Sequence, residues 1–470
     1  MDDRPDNSDL AVLLQFQRDA WRAHAPDHTQ RMDDLARLRA AFKARLGEFA
    51  RAVSEDFGRR PCHETLISDG MTVLHAIDHA RRHLKRWMRP QRVRTNWLFL
   101  PARCEIRFKP LGVVGILAPW NYPVNLALIP LVDALAAGNH VMLKPSELVP
   151  RTSALLHELI AEVFPRERVA VVQGDAGVAA AFAALPFDHL FFTGSTATGA
   201  KVMAAAAPNL TPVTLELGGK SPAIVAPDYP LRLAAERIAA GKLLNAGQTC
   251  IAPDYVLLHE SARAAFIKYL RDYVARHYPA LRESPDYASI VNGAHYQRLR
   301  GYLDDARAAG ATVITLPDEN ASAADARILA PTLVLDANDG LRVMREEIFG
   351  PILPVVTYRH IEQAIEYVNA RPRPLALYHF DHDRLRTRHV LESCIAGGVC
   401  VNDAVLHFVQ SRLPFGGVGA SGMGAYHGHA GFLTFSHRMP VFRQARVSSF
   451  ALLRPPYRGL ANALVKFLTR

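Results

Sequence analysis

The chain has 470 residues, of which 49% are apolar and 21% charged, and it carries a formal net charge of +10. That composition excludes a disordered or fibrous chain, and the length exceeds one small core and suggests two to three domains. No run of about 18 apolar residues occurs, so no membrane span is expected.

The start, Met1-Asp2-Asp3-Arg4-Pro5-Asp6, is acidic and polar, unlike a signal peptide. From about residue 8 to 90 apolar residues recur at spacings of three and four, as at Leu35, Leu38, Phe42, Leu46 and Phe49, which predicts helices. Positive charge concentrates from Arg81 to Arg94. No groove-reading motif accompanies it, so it reads as the solvated end of a helix stopped at Pro90, with no nucleic-acid partner. Arg103 to Phe108 alternates like an exposed strand. Four short apolar runs follow: Val113 to Pro119, His140 to Lys144, Val169 to Val172 and His189 to Thr193. Helical stretches separate them from Val124 to Ala137 (stopped by Gly138-Asn139), from Thr152 to Phe164 and from Ala176 to Leu185. This alternation predicts an α/β fold with a doubly wound parallel sheet, which binds ligands at its strand C-terminal ends. A second α/β pattern starts near Leu217, with strands at Ala223 to Val225, Tyr255 to Leu258, Thr312 to Ile314, Thr332 to Leu335 and Ala396 to Val401, and a helix from Leu231 to Leu244. No Pro/Gly/Ser-rich linker parts the two patterns, so interleaved domains are expected. The tail from Gly459 to Arg470 carries an apolar stripe, Leu460, Leu464, Val465 and Leu468, beside Arg458, Lys466 and Arg470. It reads as a helix packed on its own domain, with peripheral membrane contact as the alternative.

The five cysteines, Cys62, Cys104, Cys250, Cys394 and Cys400, are widely spaced, with no CxxC or Cys/His cluster. No metal site is expected, and free thiols fit a reducing, cytoplasmic location. Cys250 closes Gly247-Gln248-Thr249-Cys250, and Glu216 lies 34 residues upstream in Leu215-Glu216-Leu217-Gly218-Gly219-Lys220. They are a candidate nucleophile and general base, although a lone cysteine in an apolar stretch is more often a small core residue. Gly194-Ser195-Thr196-Ala197-Thr198-Gly199 follows a strand and opens a helix, a geometry that favours an anion, but it lacks the G-x-G-x-x-G spacing. Lys144-Pro145-Ser146-Glu147 leaves a strand end, where Lys144 can donate to ribose hydroxyls and Glu147 can accept from a ribose diol and repel a 2′-phosphate. Pro119-Trp120-Asn121-Tyr122-Pro123 is a rigid loop whose Asn121 can offer an amide N–H to an oxyanion. Taken singly, each of the last three reads as an ordinary turn.

In this order the motifs resemble the aldehyde dehydrogenase superfamily over about residues 10 to 455, joined by Glu346-Glu347-Ile348-Phe349-Gly350-Pro351 and by Leu413 to Gly419 with Ser421 to Gly424. Lys85 to Pro90, Gly247 to Tyr255 and Tyr426-His427-Gly428 resemble the class 3 branch, and Lys144 to Ser153 with Leu453 to Tyr457 most resemble bacterial coniferyl aldehyde dehydrogenases. The resemblance implies NAD(P)-dependent oxidation of an aromatic or apolar aldehyde to the acid. Cys250 would form a thiohemiacetal and then a thioester, Asn121 and the Cys250 N–H would hold the oxyanion, and Glu216 would activate water. Lys144, Glu147, Gly194, Ser195 and Gly199 would meet the adenosine and pyrophosphate of NAD, with NADP as an alternative. Glu347 would hold the nicotinamide ribose and Phe349 would pack near the ring. Trp120, Tyr122 and the loop Asp403 to Phe408 with His407 would line the substrate tunnel. The implied architecture is a cofactor domain over 1–95 and 108–216, a catalytic domain over 217–402, bridging arms over 96–107 and 403–450 that build a homodimer, and a tail over 451–470. A medium-chain or fatty aldehyde dehydrogenase is the first alternative. A CoA-acylating enzyme is the second, opposed by Glu216. A binding protein with lost chemistry should lack Cys250, Glu216 or Asn121, and all three are present.

Overall fold

The structure, a computed structural model, describes residues 7–318, 320–455, 457 and 459–469. The acidic segment Met1 to Asp6 and the tail cations Arg458 and Arg470 lie outside the described residues.

Four-residue to five-residue runs of wholly buried Val, Ile, Leu and Phe cannot serve a one-sided sheet, and here they form parallel strands covered on both faces. The first such sheet runs in the order Gly422–Met423, Val213–Glu216, His189–Thr193, Val113–Leu117, His140–Lys144, Val169–Val171. All its pairs are parallel except the edge pair Gly422–Met423 with Val213–Glu216. The chain enters at Val113–Leu117 in the middle and builds outward on both sides, so the strand order reverses there. The fully buried helix Asn125–Ala137 follows that first strand and stops at Gly138, whose φ of 93° suits a left-handed C-cap.

The second sheet has seven strands, ordered Thr312–Thr315, Thr332–Leu335, Ile352–Tyr358, Tyr255–His259, Pro222–Val225, Ala376–Phe380, Gly398–Val401. Only its first pair is antiparallel. These two sheets, with helices around them, are the α/β fold the alternation predicts. Four strands of these sheets were not anticipated: Val213–Glu216, Ile352–Tyr358, Ala376–Phe380 and Gly422–Met423.

A third, three-stranded antiparallel sheet joins Gln91–Val93, Arg103–Pro110 and Ser436–Arg443, the last two pairing over eight residues. The helical N-terminal region includes one π-helical turn, Leu66–Met71. The tail forms the helix Gly459–Leu468, but the expected packing of its apolar stripe is absent: Leu460, Val465, Phe467 and Leu468 are exposed and only Ala461 is buried. Among the described residues, no facing element covers the stripe.

Candidate active site

The C-terminal ends of the first sheet's central strands converge on one cleft. Val113–Leu117 leads into Trp120-Asn121-Tyr122, His140–Lys144 ends at Lys144, His189–Thr193 leads into Gly194-Ser195, and Val213–Glu216 ends at Glu216. The loops that face them precede strands of the second sheet: Gly218 to Lys220, Gly247 to Asp254 and Glu346 to Pro351. Each sequence motif therefore lies at a strand end or in a loop entering a strand.

Cys250 sits on a strained loop. After the helix Leu231–Leu243, Asn245 and Ala246 take φ of 52° and 50°, and Gly247 takes 76°. Non-glycine residues in that region cost about 1–3 kcal/mol each and persist only where their surroundings hold them. Here Asn245 Nδ2 donates to the Asn121 carbonyl at 3.0 Å. The fully buried Gln248 donates to the Asn245 and Ser289 carbonyls at 2.9 and 3.1 Å and accepts from the Val291 N–H at 2.9 Å. A Cβ at Gly247 would fall 2.3 Å from the Gly350 carbonyl oxygen, so this crossing of two loops needs glycine. Tyr122 and Thr249 share a hydroxyl hydrogen bond at 2.7 Å, and Tyr378 donates to the Ile251 carbonyl on the other side.

Asn121 is fixed through its own carbonyl as well. Arg60 donates to that oxygen at 2.8 Å and pairs with buried Asp69 at 3.1 Å. Asp69 in turn accepts from the Val124 and Asn125 N–H groups at 3.2 and 2.9 Å. It projects from the π-helical turn, a rare element often found at functional sites. The Asn121 Nδ2 donates to the Gln248 carbonyl at 3.2 Å, beside the cysteine loop, and its second hydrogen is not used by that bond.

Electrostatics favour neutral forms throughout this pocket. Glu216 is 2% exposed, and neither carboxyl oxygen has a hydrogen-bond partner among the described residues. Burial alone holds its carboxyl well above the usual range. Burial and then Asp254 push Glu347 up to about 8. Burial, then Glu347 and Glu216, push the Cys250 thiol up to about 12, against the N–H groups of Cys250 and Ile251. Burial therefore favours the protonated thiol here, and the reactive thiolate has to form during the reaction. Unpaired buried acids beside a nucleophile are the usual mark of a site that handles protons.

Of the cofactor candidates, Glu347 lines a cavity of about 600 Å³ together with Thr196, Gly219, Lys220, Arg371 and Arg373, among others. Lys220 donates to Asp254 and to the Val343 and Glu346 carbonyls at 2.8 and 3.0 Å, while Asp254 accepts from the Ile348 N–H at 3.0 Å. This staple fixes the segment that carries Glu347. The Glu347 carboxylate lies over Gly218, where any Cβ would collide with it. Lys144 and Glu147 pair with each other at 2.9 Å. Ser195 caps the helix Thr196–Ala206, accepting from the Thr198 N–H at 3.3 Å. Gly194 abuts the Phe192 ring, and Gly199 packs on Leu217, which brings that helix close to the sheet. A helix N-terminus at the reversal of strand order, an open cavity and a Glu347 oxygen without a partner fit a dinucleotide.

The expected tunnel residues divide into two groups. Trp120 packs against Phe57, His295 and, edge-on with centroids 5.4 Å apart, Phe349, so it stands with a cofactor-side candidate. Tyr122 is buried beneath Arg60, which lies 4.7 Å from its ring centroid. His407 lies apart from Trp120, against Tyr378 and Phe415, and burial lowers its pKa to about 4, which keeps it neutral. Of the neighbouring wall, sequence reasoning placed only Phe408 in the tunnel and missed Phe415, Tyr426 and His427. Phe408, Phe415, Tyr426 and His427 pack together, mostly edge to face, and burial first, then proximity to Glu216 and Cys250, holds the Tyr426 phenol well above its usual range. Aromatic and histidine residues interleaved in a glycine-rich run were the available signal. The scaffold residues Arg60, Asp69, Asn245 and Gln248 gave none, since each is common in loops.

Comparison with known proteins agrees with this geometry. The aldehyde dehydrogenase family model matches residues 14–441. A probable coniferyl aldehyde dehydrogenase of Pseudomonas aeruginosa is 50% identical over 457 residues, covering 97% of this chain and 95% of that protein. The substrate-bound Staphylococcus aureus AldH structure superposes with a TM-score of 0.92 at 38% identity, covering 98% of this chain and 99% of that one. The NAD+ complex of an aldehyde dehydrogenase from Bacillus cereus superposes with a TM-score of 0.84 at 25% identity, covering 94% of this chain and 90% of that one. A family match over most of the chain and a relative at 50% identity settle its kinship: the chain belongs to the aldehyde dehydrogenase family.

Proposed function

We propose that the enzyme oxidises aromatic aldehydes such as coniferyl aldehyde to carboxylic acids through covalent catalysis by Cys250. The observation that carries this is one pocket holding the half-buried Cys250, the unpaired Glu216 carboxyl and the aromatic wall of Phe408, Phe415, Tyr426 and His427. Cys250 loses its proton and its sulfur attacks the aldehyde carbon. The second Asn121 amide hydrogen and the Cys250 N–H hold the resulting oxyanion, both fixed before reaction by the hydrogen bonds described above. NAD+, when bound, accepts the hydride. Lys144, Glu147, Gly194, Ser195, Glu347 and Phe349 are the residues that would hold it, and Gly199 supports their helix by packing. The thioester left on Cys250 is hydrolysed by water that Glu216, once ionised, deprotonates. A hydrolytic base in the pocket supports water over CoA as the acyl acceptor.

The bare wall of rings, with the neutral His407 ring nitrogens as its polar contact, supports a planar aromatic substrate over an alkanal. Glu147 supports NAD over NADP, because a carboxylate disfavours a 2′-phosphate. The exposed edge strand Gln91–Val93 and the strand Ser436–Arg443 support bridging arms that pair a homodimer, with the domain limits given by the family resemblance. Free cysteines support a cytoplasmic location.

The test is kcat/KM with NAD for coniferyl aldehyde, benzaldehyde and a medium-chain alkanal. The expected preference for coniferyl aldehyde is about a hundredfold, near 3 kcal/mol of differential transition-state binding. A flat profile or an alkanal preference contradicts the aromatic assignment. Cys250→Ala should abolish turnover and leave NAD binding intact, as read by fluorescence titration.

A further inference from the structure

Two buried charges beside the catalytic cleft take part in no step of the reaction described above. The side chains of Arg60 and Asp69 are 0% and 1% exposed and pair at 3.1 Å. Replacing such a pair by apolar side chains of similar volume is often neutral or stabilising, so stability alone does not account for it. A guanidinium offers what an apolar side chain cannot, a rigid fork of directed donors. Arg60 lies between two rings, 5.3 Å from the Phe57 centroid and 4.7 Å from that of Tyr122. One Nη donates to the Asn121 carbonyl at 2.8 Å, and the other donates to Asp69 and to the Ser68 hydroxyl, the latter at 3.3 Å.

The Asn121 carbonyl is where two loops meet. It accepts from Arg60 on one side and from Asn245 Nδ2, at 3.0 Å, on the other. Asn245 opens the strained turn before Cys250, and its own N–H donates to the Glu64 carboxylate at 3.2 and 3.3 Å. Tyr122, whose ring Arg60 covers, shares a hydrogen bond with the Thr249 hydroxyl next to Cys250. Residues 60–69 therefore reach both carriers of the oxyanion donors, the Asn121 loop and the cysteine loop. A peptide whose carbonyl is fixed has a fixed Cα–Cβ direction, so the Arg60 hydrogen bond also sets where the Asn121 amide points. A misplacement of 1 Å costs about 10²-fold in rate.

We infer that Arg60 is a positioning residue for the oxyanion site: held by Asp69, it fixes the Asn121 backbone and, through the shared carbonyl, the spacing between Asn121 and the cysteine loop. Arg60 acts through Asn121 and touches no reacting atom. The inference rests on the reading of Asn121 and the Cys250 N–H as oxyanion donors. It gives that role to a charge 61 positions before Asn121, in the helical N-terminal region, which none of the sequence motifs contains. Arg60, Asp69, Asn121 and Asn245 are all buried within a single chain, so contact with a second copy leaves their hydrogen bonds in place.

The experiment compares Arg60→Met, Asn121→Ala and the two combined, by steady-state kinetics with benzaldehyde and NAD and by iodoacetamide alkylation of Cys250 in the cofactor-free protein. Arg60→Met should lower kcat about 10- to 100-fold, with KM for both substrates within about twofold of wild type. Alkylation forms no oxyanion, so its rate should stay within about twofold of wild type. Because Arg60 acts through Asn121, the combined variant should be slower than Asn121→Ala by no more than about threefold. Arg60→Met leaves Asp69 unpaired, so Arg60→Met/Asp69→Asn is measured as well. It removes both charges, keeps an oxygen for the Val124 and Asn125 N–H groups, and should show the same loss of kcat. Wild-type kcat in either of these Arg60 variants, losses that multiply in the combined variant, or alkylation that slows in step with kcat overturns the inference. If Asn121→Ala itself keeps wild-type kcat, the oxyanion reading fails and the inference falls with it. A slow Asn121→Ala beside a fast Arg60→Met overturns the inference alone.

Discussion

Cys250 illustrates how far a residue's chemistry depends on its setting. Its motif marks a nucleophile, but burial beside Glu216 and Glu347 pushes its thiol up to about 12. Because only the thiolate reacts, alkylation of Cys250 by iodoacetamide in the cofactor-free protein should accelerate about tenfold per pH unit from 7 to 10. A rate that levels off below pH 8 would show that the thiolate forms more readily than this pocket allows. Asn121→Ala removes an oxyanion donor and should lower kcat about 10²- to 10³-fold with little change in KM. At this scale, the sequence singled out the candidate reacting groups through the order of their motifs, not through any one motif. It could not show that Trp120 stands with Phe349, that Tyr122 serves the loop through Thr249, or that Gly199 packs on Leu217. Those roles depend on which distant side chains arrive next to each residue.

Loops, more than strands, carry the energetic cost of this site. The strain at Asn245 and Ala246 is offset by Gln248, whose side-chain hydrogen bonds all run to the backbone. Gly247→Ala meets both a disfavoured φ and the Gly350 carbonyl, so it should cut activity at least about tenfold and lower the melting temperature. The Lys220–Asp254 pair is nearly buried, with side chains 9% and 4% exposed. Asp254→Ala leaves the lysine charge unpaired and should cost about 3–5 kcal/mol in chemical denaturation. It should also raise KM for NAD, since the Glu347 segment loses its staple. An unchanged KM would detach that segment from cofactor binding. Long apolar runs such as Val113–Leu117 were legible as strands because both faces are buried. Val213–Glu216 was not, because four residues ending in a glutamate look like a loop until their place beside His189–Thr193 is known.

For the molecule as a whole, alternating strands and helices gave the α/β class, and the separation into six- and seven-stranded sheets came from pairing that periodicity cannot encode. The arm sheet joins residues more than three hundred positions apart, a distance no local pattern reports. If the arms bridge subunits, light scattering should give the mass of two chains, and a one-chain mass would remove that role. The apolar stripe of the tail was legible as a stripe, but its lack of a covering element was not, because exposure depends on the rest of the fold. The central claim is that Cys250 carries the acyl group and Glu216 releases it. It is tested most directly by intact-protein and peptide mass spectrometry of Glu216→Gln after mixing with NAD+ and coniferyl aldehyde. An acyl adduct on the Cys250 peptide, absent from a Cys250→Ala/Glu216→Gln control and slow to decay, is the expected result. No adduct together with undiminished steady-state turnover would contradict the account.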